Sequence, residues 1–255
     1  MIEFSSAQAD LWLGAIFWPL VRILAMVGAA PLFSHRAIPL RAKVALAAAF
    51  ALAIAPNLPP QPLGDALDPA FFGTLARNVM IGLALGFTVR IVFTGIELAG
   101  QVVGLQVGLS FGGFFNPEMS DTDNPVANFV SLVVLMLFLS LDGHLAMLAA
   151  LQRTFDVLPI AGPLSMPVGS EAIVRLGAEI FSSALSISLP ILAVMLLLNL
   201  VMGVMARVAP QLNLFSVGFP LSLCVGLLLL LLFLPYMGPP MRAEIERALA
   251  LWPVR

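Results

Sequence analysis

Charged residues are scarce in this sequence. Of its 255 residues only 10% are Asp, Glu, Lys or Arg, whereas 60% are hydrophobic and the mean hydropathy is +1.04. A soluble domain carries roughly a quarter charged residues, so this composition excludes a soluble enzyme, a disordered protein and a coiled coil. The net charge of -2 provides no basic field for nucleic acid. The chain is therefore predicted to be an integral membrane protein.

Cysteine and metal-binding motifs are almost absent. Cys224 is the only cysteine, so the chain cannot form an intrachain disulfide, and no Cys/His spacing suits a metal. The sequence also lacks HExxH, a P-loop and a pair of intramembrane aspartates. We therefore predict no cofactor, no metal and no enzyme activity. A cleaved signal peptide is not expected either, because Glu3 and Asp10 precede the first apolar run.

Long apolar runs predict an all-α, polytopic membrane protein of about six long helices arranged as hairpins. The expected helices cover residues 11–33, 42–58, 71–96, 129–151, 171–208 and 213–237. Residues 110–128 should be irregular, because the two glycines at 112–113 and the prolines at 117 and 125 oppose a regular helix. We expect a single membrane domain, 1–255, built from hairpins 11–58, 71–151 and 171–237 and a short charged tail, 242–255.

The distribution of positive charge conflicts with six simple crossings. Arg36, Arg41 and Lys43 place the first loop in the cytoplasm. Six crossings would then put the tail, with Arg242 and Arg247, on the opposite side, against the same rule. Either residues 97–128 add a partial crossing, or the helices do not lie in the bilayer as a plain serpentine.

A stripe of glycines follows Glu97 at four-residue intervals. Gly100, Gly104 and Gly108 leave one helical face bare, which allows another helix to approach closely. That helix belongs either to the same chain or to a partner subunit. Placing the charged side chain of Glu97 in lipid costs free energy. Glu97 is therefore interpreted as making a structural polar contact, with Arg90 on the same face as one candidate partner.

The irregular segment carries bulky apolar side chains. Non-helical backbone at membrane depth is tolerated only where protein buries it or where it lines a cavity, and apolar side chains there can close a pore. An ordinary aqueous loop is the alternative, supported by Glu118, Asp121 and Asp123. The candidate plug residues are Phe111, Gly112, Gly113, Phe114, Phe115, Asn116, Pro117 and Met119.

A polar break separates the last two apolar helices. Arg207, Pro210, Gln211 and Asn213 lie there, and Pro210 should stop one helix while Asn213 caps the next. The break is either a plain hairpin turn or a contact surface for another protein.

Two patterns resemble catalytic motifs weakly. Ser110 lies in a GxSxG match, but no strand precedes it as a nucleophile elbow requires. Asp142 and His144 could form a proton relay or, as their position at a helix end favours, an interfacial cap.

These residues together resemble the FliR/SctT family of the type III secretion export gate. The resemblance rests on the glutamate and glycine stripe, on Asn116-Pro117, on Leu141–His144 and on the stretch Pro210–Pro220. The ending Gly218-Phe219-Pro220 looks flagellar rather than injectisome-like, so the FliR branch is favoured. The chain departs from the family at Leu145, where a second His often stands.

The resemblance implies a non-catalytic subunit that completes a helical channel with FliP- and FliQ-type subunits. It implies a FliP-like hairpin joined to a FliQ-like hairpin, helices lifted partly out of the bilayer, and a pore plug at 111–119. FlhB- and FlhA-type proteins would be further partners, unfolded proteins the exported substrates, and the bacterial inner membrane, within the flagellar basal body, the location. Two other functions stay open: a secondary transporter, and an intramembrane serine hydrolase using Ser110.

Overall fold

The computed structural model describes residues 6–34, 38–65, 67–108, 125–162, 170–209 and 214–252. Across those ranges the regular structure is entirely helical, which confirms the predicted all-α class. The helices are α1 Ser6–Ala29, α2 Pro31–Ser34, α3 Leu40–Ile54, α4 Pro69–Val107, α5 Pro125–Ser140, α6 Gly143–Val157, α7 Ser170–Val208, α8 Leu214–Phe233 and α9 Gly238–Ala250. Short 3₁₀ turns follow α3 and α8 at Ala55–Asn57 and Leu234–Tyr236.

Five helices in the described ranges are long and apolar enough to cross a membrane. They lie in α1, in α3 with its 3₁₀ turn, in α4, in α7 and in α8 with its turn. The count becomes six if the bent pair α5 and α6 forms one span. The prediction of about six long helices is therefore confirmed. Whether the count is five or six depends on the bent pair α5 and α6.

The expected helix at 129–151 is wrong in detail, because the chain bends there. Helices α5 and α6 meet at 64° across Leu141 and Asp142. Asp142 adopts φ 56°, a left-handed conformation that is uncommon for a residue other than glycine. One residue in this conformation is enough to end a helix, and a hydropathy profile does not reveal it.

Proline at 125 begins a helix and does not prevent one, contrary to the expectation for 110–128. Pro125 is the first residue of α5, a position where its missing N–H costs nothing and its fixed φ suits the helix. Residues 125–128 are thus helical, and residues 109–124 lie outside the described ranges.

The charged tail is also helical, which the sequence reading missed. Helix α9 covers most of it and places Met241, Ile245 and Ala248 in the interior. These residues recur at intervals of three or four, so they share one helical face.

The chain divides into two compact units, each formed by separate stretches of sequence. The first unit comprises Met1–Arg90, Asp142–Val174 and Ile245–Arg255, and the second comprises Ile91–Leu141 and Arg175–Glu244. Helices α4 and α7 each contribute to both. The expected hairpin boundaries and the expected single domain stay predictions.

The first unit is built on α1. Helix α3 packs against it, and Ala47 and Ala51 of α3 are fully buried. The proline-rich loop after α3 also lies along α1, where Trp18 Nε1 donates to the carbonyl of Pro62 at 3.1 Å. Four aromatic rings gather at the same end, namely Phe17, Trp18, Phe71 and Phe72.

The second unit is built on the later half of α4. Phe93 on α4 packs edge to face with Phe138 on α5, with ring centroids 5.2 Å apart. A methyl group placed on Gly95 would lie 3.3 Å from the carbonyl oxygen of Ile180 on α7, and one placed on Gly226 of α8 would overlap the side chain of Val107. This half of α4 therefore contacts α5, α7 and α8.

Candidate subunit-contact site

The glycine stripe lies on α4, and its described contacts are within the chain. A methyl group on Gly100 would lie 3.0 Å from Cβ of Val130 and 3.3 Å from Cα of Ala127, both on α5. Gly104 is buried and Gly108 is half-buried. At Gly100 the close helix approach predicted from the stripe is thus made by α5. The role of the stripe in contacts between subunits stays a prediction.

Glu97 makes a polar contact across the same helix pair. The Ser131 hydroxyl on α5 donates to Glu97 Oε1 at 2.8 Å. A hydrogen bond to a carboxylate is stronger than one between neutral groups, and it offsets part of the cost of a carboxylate in apolar surroundings. Arg90 is exposed, and its pairing with Glu97 stays a prediction. Ser131 is a partner that spacing along one helix could not identify.

Apolar side chains cover the exposed face of α7. The exposed set runs from Phe181, 70% exposed, to Val208, 75% exposed. Only 17% of the most apolar stretch of α7 is buried, and only 11% of that of α8. The large exposed apolar side chains of the two helices include Leu185, Leu189, Leu196, Leu197, Leu200, Val201, Val204, Leu228, Leu231 and Leu232. We call this set, from Phe181 to Leu232, the apolar hairpin face.

Arg207 lies in the last turn of α7 and is exposed. A cation at that end of a helix is favourable, because the unpaired carbonyls carry partial negative charge. Three further residues of the predicted polar break, Pro210, Gln211 and Asn213, lie outside the described ranges, so their predicted contact role is untested. Helix α7 ends at Val208 and α8 begins at Leu214, close to the predicted ends.

The candidate plug lies wholly in the stretch that the structure does not describe. Phe111, Gly112, Gly113, Phe114, Phe115, Asn116, Pro117 and Met119 all fall within 109–124, as does Ser110. The chain enters this stretch through Gly108, at φ 91°. Glycine adopts that conformation without steric cost, so the last glycine of the stripe is also the residue that ends α4.

Asp142 and His144 lie at the bend between α5 and α6. Asp142 occupies the residue before α6, but its side chain makes no capping hydrogen bond. Its backbone carbonyl instead accepts from the N–H groups of Leu145 and Ala146. Asp142 thus occupies the cap position at the start of α6, as its place at a helix end suggested, and its backbone makes the turn. Its location at the membrane interface stays a prediction. His144 is half-buried, and its Nδ1 atom has no hydrogen-bond partner among the described residues.

Arg22 is the largest fully buried side chain in the described ranges. Its Nε and Nη2 donate to Asn78 Oδ1 at 3.0 and 2.7 Å. Its Nη1 donates to the carbonyl and hydroxyl oxygens of Thr154 at 3.0 and 3.2 Å, and Nη2 also reaches the carbonyl of Leu158 at 2.9 Å. The guanidinium carbon lies 4.1 Å from the ring centre of Phe155. All five N–H groups are thus used, and α1, α4 and α6 are tied together.

A second glycine pair, which the sequence reading missed, lets α1 approach α4. Gly82 and Gly86 are four residues apart on α4. A methyl group on Gly82 would overlap the backbone oxygen of Arg22, and one on Gly86 would lie 2.6 Å from the oxygen of Met26. The GxxxG spacing of this pair is the sequence signal that indicates such a close approach.

Comparison with known proteins supplies the remaining evidence. Residues 13–248 match the family model described as bacterial export proteins, family 1. The chain is 40% identical over 245 residues to the flagellar biosynthetic protein FliR of Escherichia coli (strain K12), covering 94% of this chain and 91% of that protein. It is 39% identical over 239 residues to the protein of the same name from Pectobacterium carotovorum subsp. carotovorum, with the same coverage.

Proposed function

This chain belongs to the bacterial export protein family 1, and on that premise we propose that it is a non-catalytic subunit of the flagellar protein export gate. It would assemble with FliP- and FliQ-type subunits in the bacterial inner membrane and complete a helical channel for unfolded proteins. FlhA- and FlhB-type proteins would dock on this assembly. The proposal assigns the chain no reaction, cofactor or metal.

The length of the apolar hairpin face carries the proposal. On α7 the exposed apolar residues extend over 28 positions, from Phe181 to Val208, which is about 40 Å at 1.5 Å per residue. The hydrocarbon core of a bilayer is about 30 Å thick. A tilt near the average of about 20° shortens the helix by only a few ångströms. Lipid alone therefore leaves apolar surface uncovered, and other protein subunits would cover it.

Assembly is tested by purifying the chain with and without its partners. We expect a monodisperse complex when FliP- and FliQ-type subunits are co-expressed, and a polydisperse sample when the chain is expressed alone. Size-exclusion chromatography in mild detergent measures both. A chain that is monodisperse alone and retains no partner would contradict the proposal, and would return the secondary-transporter alternative, for which the bent pair α5 and α6 supplies one broken helix.

We further propose that residues 111–119 plug the pore. Support comes from the sequence, with its phenylalanines between Gly113 and Pro117, and from Gly108, whose backbone turns the chain out of α4. Apolar side chains exclude water and ions from a narrow pore, and a membrane that holds a proton gradient requires such a barrier.

Deleting Gly112–Pro117 tests the plug. The assembled variant should leak ions in planar bilayers, and replacing both Phe114 and Phe115 by Ala should produce a weaker leak, because the backbone still obstructs the pore. Ser110→Ala serves as a control, since a hydrolase would lose activity and a channel subunit should tolerate it. An assembled deletion variant as tight as the parent would favour the aqueous-loop interpretation.

A further inference from the structure

Two arginines are buried in the first unit, and their surroundings differ. Arg22 is fully buried and Arg77 is 4% exposed. Arg22 donates all five of its N–H groups to protein oxygens. Arg77 has no hydrogen-bond acceptor within the described ranges at either Nε or Nη1. A buried charge without a partner costs several kcal/mol in general, so one of these two sites is incomplete.

The acidic side chains that the structure describes in the first unit do not complete it. In the first unit, Asp65 and Asp68 are exposed and accept hydrogen bonds from the N–H groups of Leu67 and Ala70. Asp156 is exposed as well. Neither Nε nor Nη1 of Arg77 donates a hydrogen bond to a described carboxylate. The neighbouring side chain of Asn78 is already engaged. Its Oδ1 accepts from Arg22, and its Nδ2 donates to the carbonyls of Thr74 and Ile160.

Bare backbone covers the unpaired guanidinium. A methyl group built on Gly162 would overlap Nη1 of Arg77, so this nitrogen lies directly beneath the glycine, and Gly162 itself is exposed. The loop leading to the glycine is held in place from below. Arg22 binds the carbonyl of Leu158 at 2.9 Å, and Asn78 binds that of Ile160 at 3.3 Å. The cation is therefore one backbone layer beneath the surface, at a point that has no side chain.

We propose that Arg77 receives an acidic side chain of a neighbouring subunit at Gly162. The inference rests on the proposed function, which supplies the neighbour. A carboxylate supplies the negative charge and the acceptor oxygens that Nε and Nη1 of Arg77 lack among the described residues. The ion pair would form only on assembly, so the complex would gain a contact that the free chain lacks.

The test uses Arg77→Met in the full chain, co-expressed with the partner subunits. Methionine removes an unpaired buried charge, so the membrane level of the free chain and its resistance to detergent unfolding should stay equal to the parent or rise. The yield of co-purified partner should fall at least tenfold. Gly162→Ala should act in the same direction, because its methyl group displaces Nη1. Gly73→Ala is the matched control, since nothing lies within 4 Å of a methyl group there.

A genetic readout identifies the acid. Arg77→Glu should abolish motility, and selection for restored motility should yield Lys or Arg in place of an Asp or Glu of a partner subunit. Arg77→Met that binds partners at the parent level overturns the inference, and so does a free Arg77→Met chain that unfolds more readily than the parent. Loss of bound anionic phospholipid with partners retained, measured by native mass spectrometry, overturns it in favour of a lipid phosphate. A parent chain that retains no partner overturns the proposed function as well.

Discussion

Helices α4 and α7 are alike in the sequence and opposite in the structure. Each is 39 residues long and strongly apolar, yet 61% of the most apolar stretch of α4 is buried and only 17% of that of α7. Glycine is what separates them. Helix α4 is approached by neighbouring helices at Gly82, Gly86, Gly95 and Gly100, whereas a methyl group on Gly177 or Gly203 of α7 meets nothing within 4 Å. Hydropathy thus shows that a helix must be covered, and small residues show where the same chain covers it.

The largest effect is expected when a buried arginine is replaced, and replacing an exposed arginine on α7 provides the comparison. Arg22→Met leaves Asn78 Oδ1 and the carbonyl of Leu158 without their donor, at about 1–3 kcal/mol for each unpaired group. We expect the chain to fall below detection in the membrane, as measured by immunoblot. Arg207→Glu, on the exposed end of α7, should leave that level unchanged and lower the yield of complex. A normal yield of complex would count against a contact role for Arg207.

The next largest effect is expected at the glycine pair on α4. Gly82→Ala places a methyl group against the backbone oxygen of Arg22, and a backbone atom cannot move aside as a side chain can. Overpacking of this kind costs about 1–3 kcal/mol. The midpoint of unfolding in SDS should therefore shift to lower detergent, while Gly73→Ala on the same helix should match the parent. Equal midpoints for the two variants would show that α1 and α4 do not touch at Gly82.

Two neighbouring residues on α7 offer a finer test. Met195 is fully buried, whereas Leu196 is 60% exposed. Met195→Asn should lower the membrane level of the chain, because burying an unpaired amide costs about 1–3 kcal/mol. Leu196→Asn should spare that level and reduce co-purification of partners. If both variants lose the chain equally, α7 is not divided into an inner face and an apolar hairpin face.

The smallest effect is expected where α4 meets α5. Ser131→Ala removes the hydrogen bond to Glu97 and should lower stability by about 0.5–1.5 kcal/mol, because both residues are only half-buried. Glu97→Gln keeps an acceptor and should change the SDS midpoint less than Ser131→Ala. The reverse order would mean that the charge of Glu97 matters more than the bond.

The helices could be predicted because their apolar runs are long, and α7 begins within one residue of its predicted start. The bend at Asp142 could not, since it depends on one left-handed backbone conformation that composition does not record. The contact of Glu97 with Ser131 could not be predicted for a related reason: spacing along one helix suggests only partners on that helix, such as Arg90, whereas Ser131 comes from the next helix. The buried site of Arg22 could not be predicted either, because nothing in the sequence shows that Thr154 and Leu158 come near it.

The first unit has a consequence for the order of events on the ribosome. Its stretches are separated by more than 50 residues of the second unit on one side and by about 70 on the other. Trp252 is buried, and its Nε1 donates to the hydroxyl of Thr88 on α4 at 3.3 Å. This contact of α4 can form only after residue 252 has been synthesised. Helices α1 and α4 can pack together early in synthesis, but the first unit is completed only when its last stretch has been made. A stalled or shortened nascent chain would therefore expose the Thr88 surface of α4 to the quality-control machinery of the membrane.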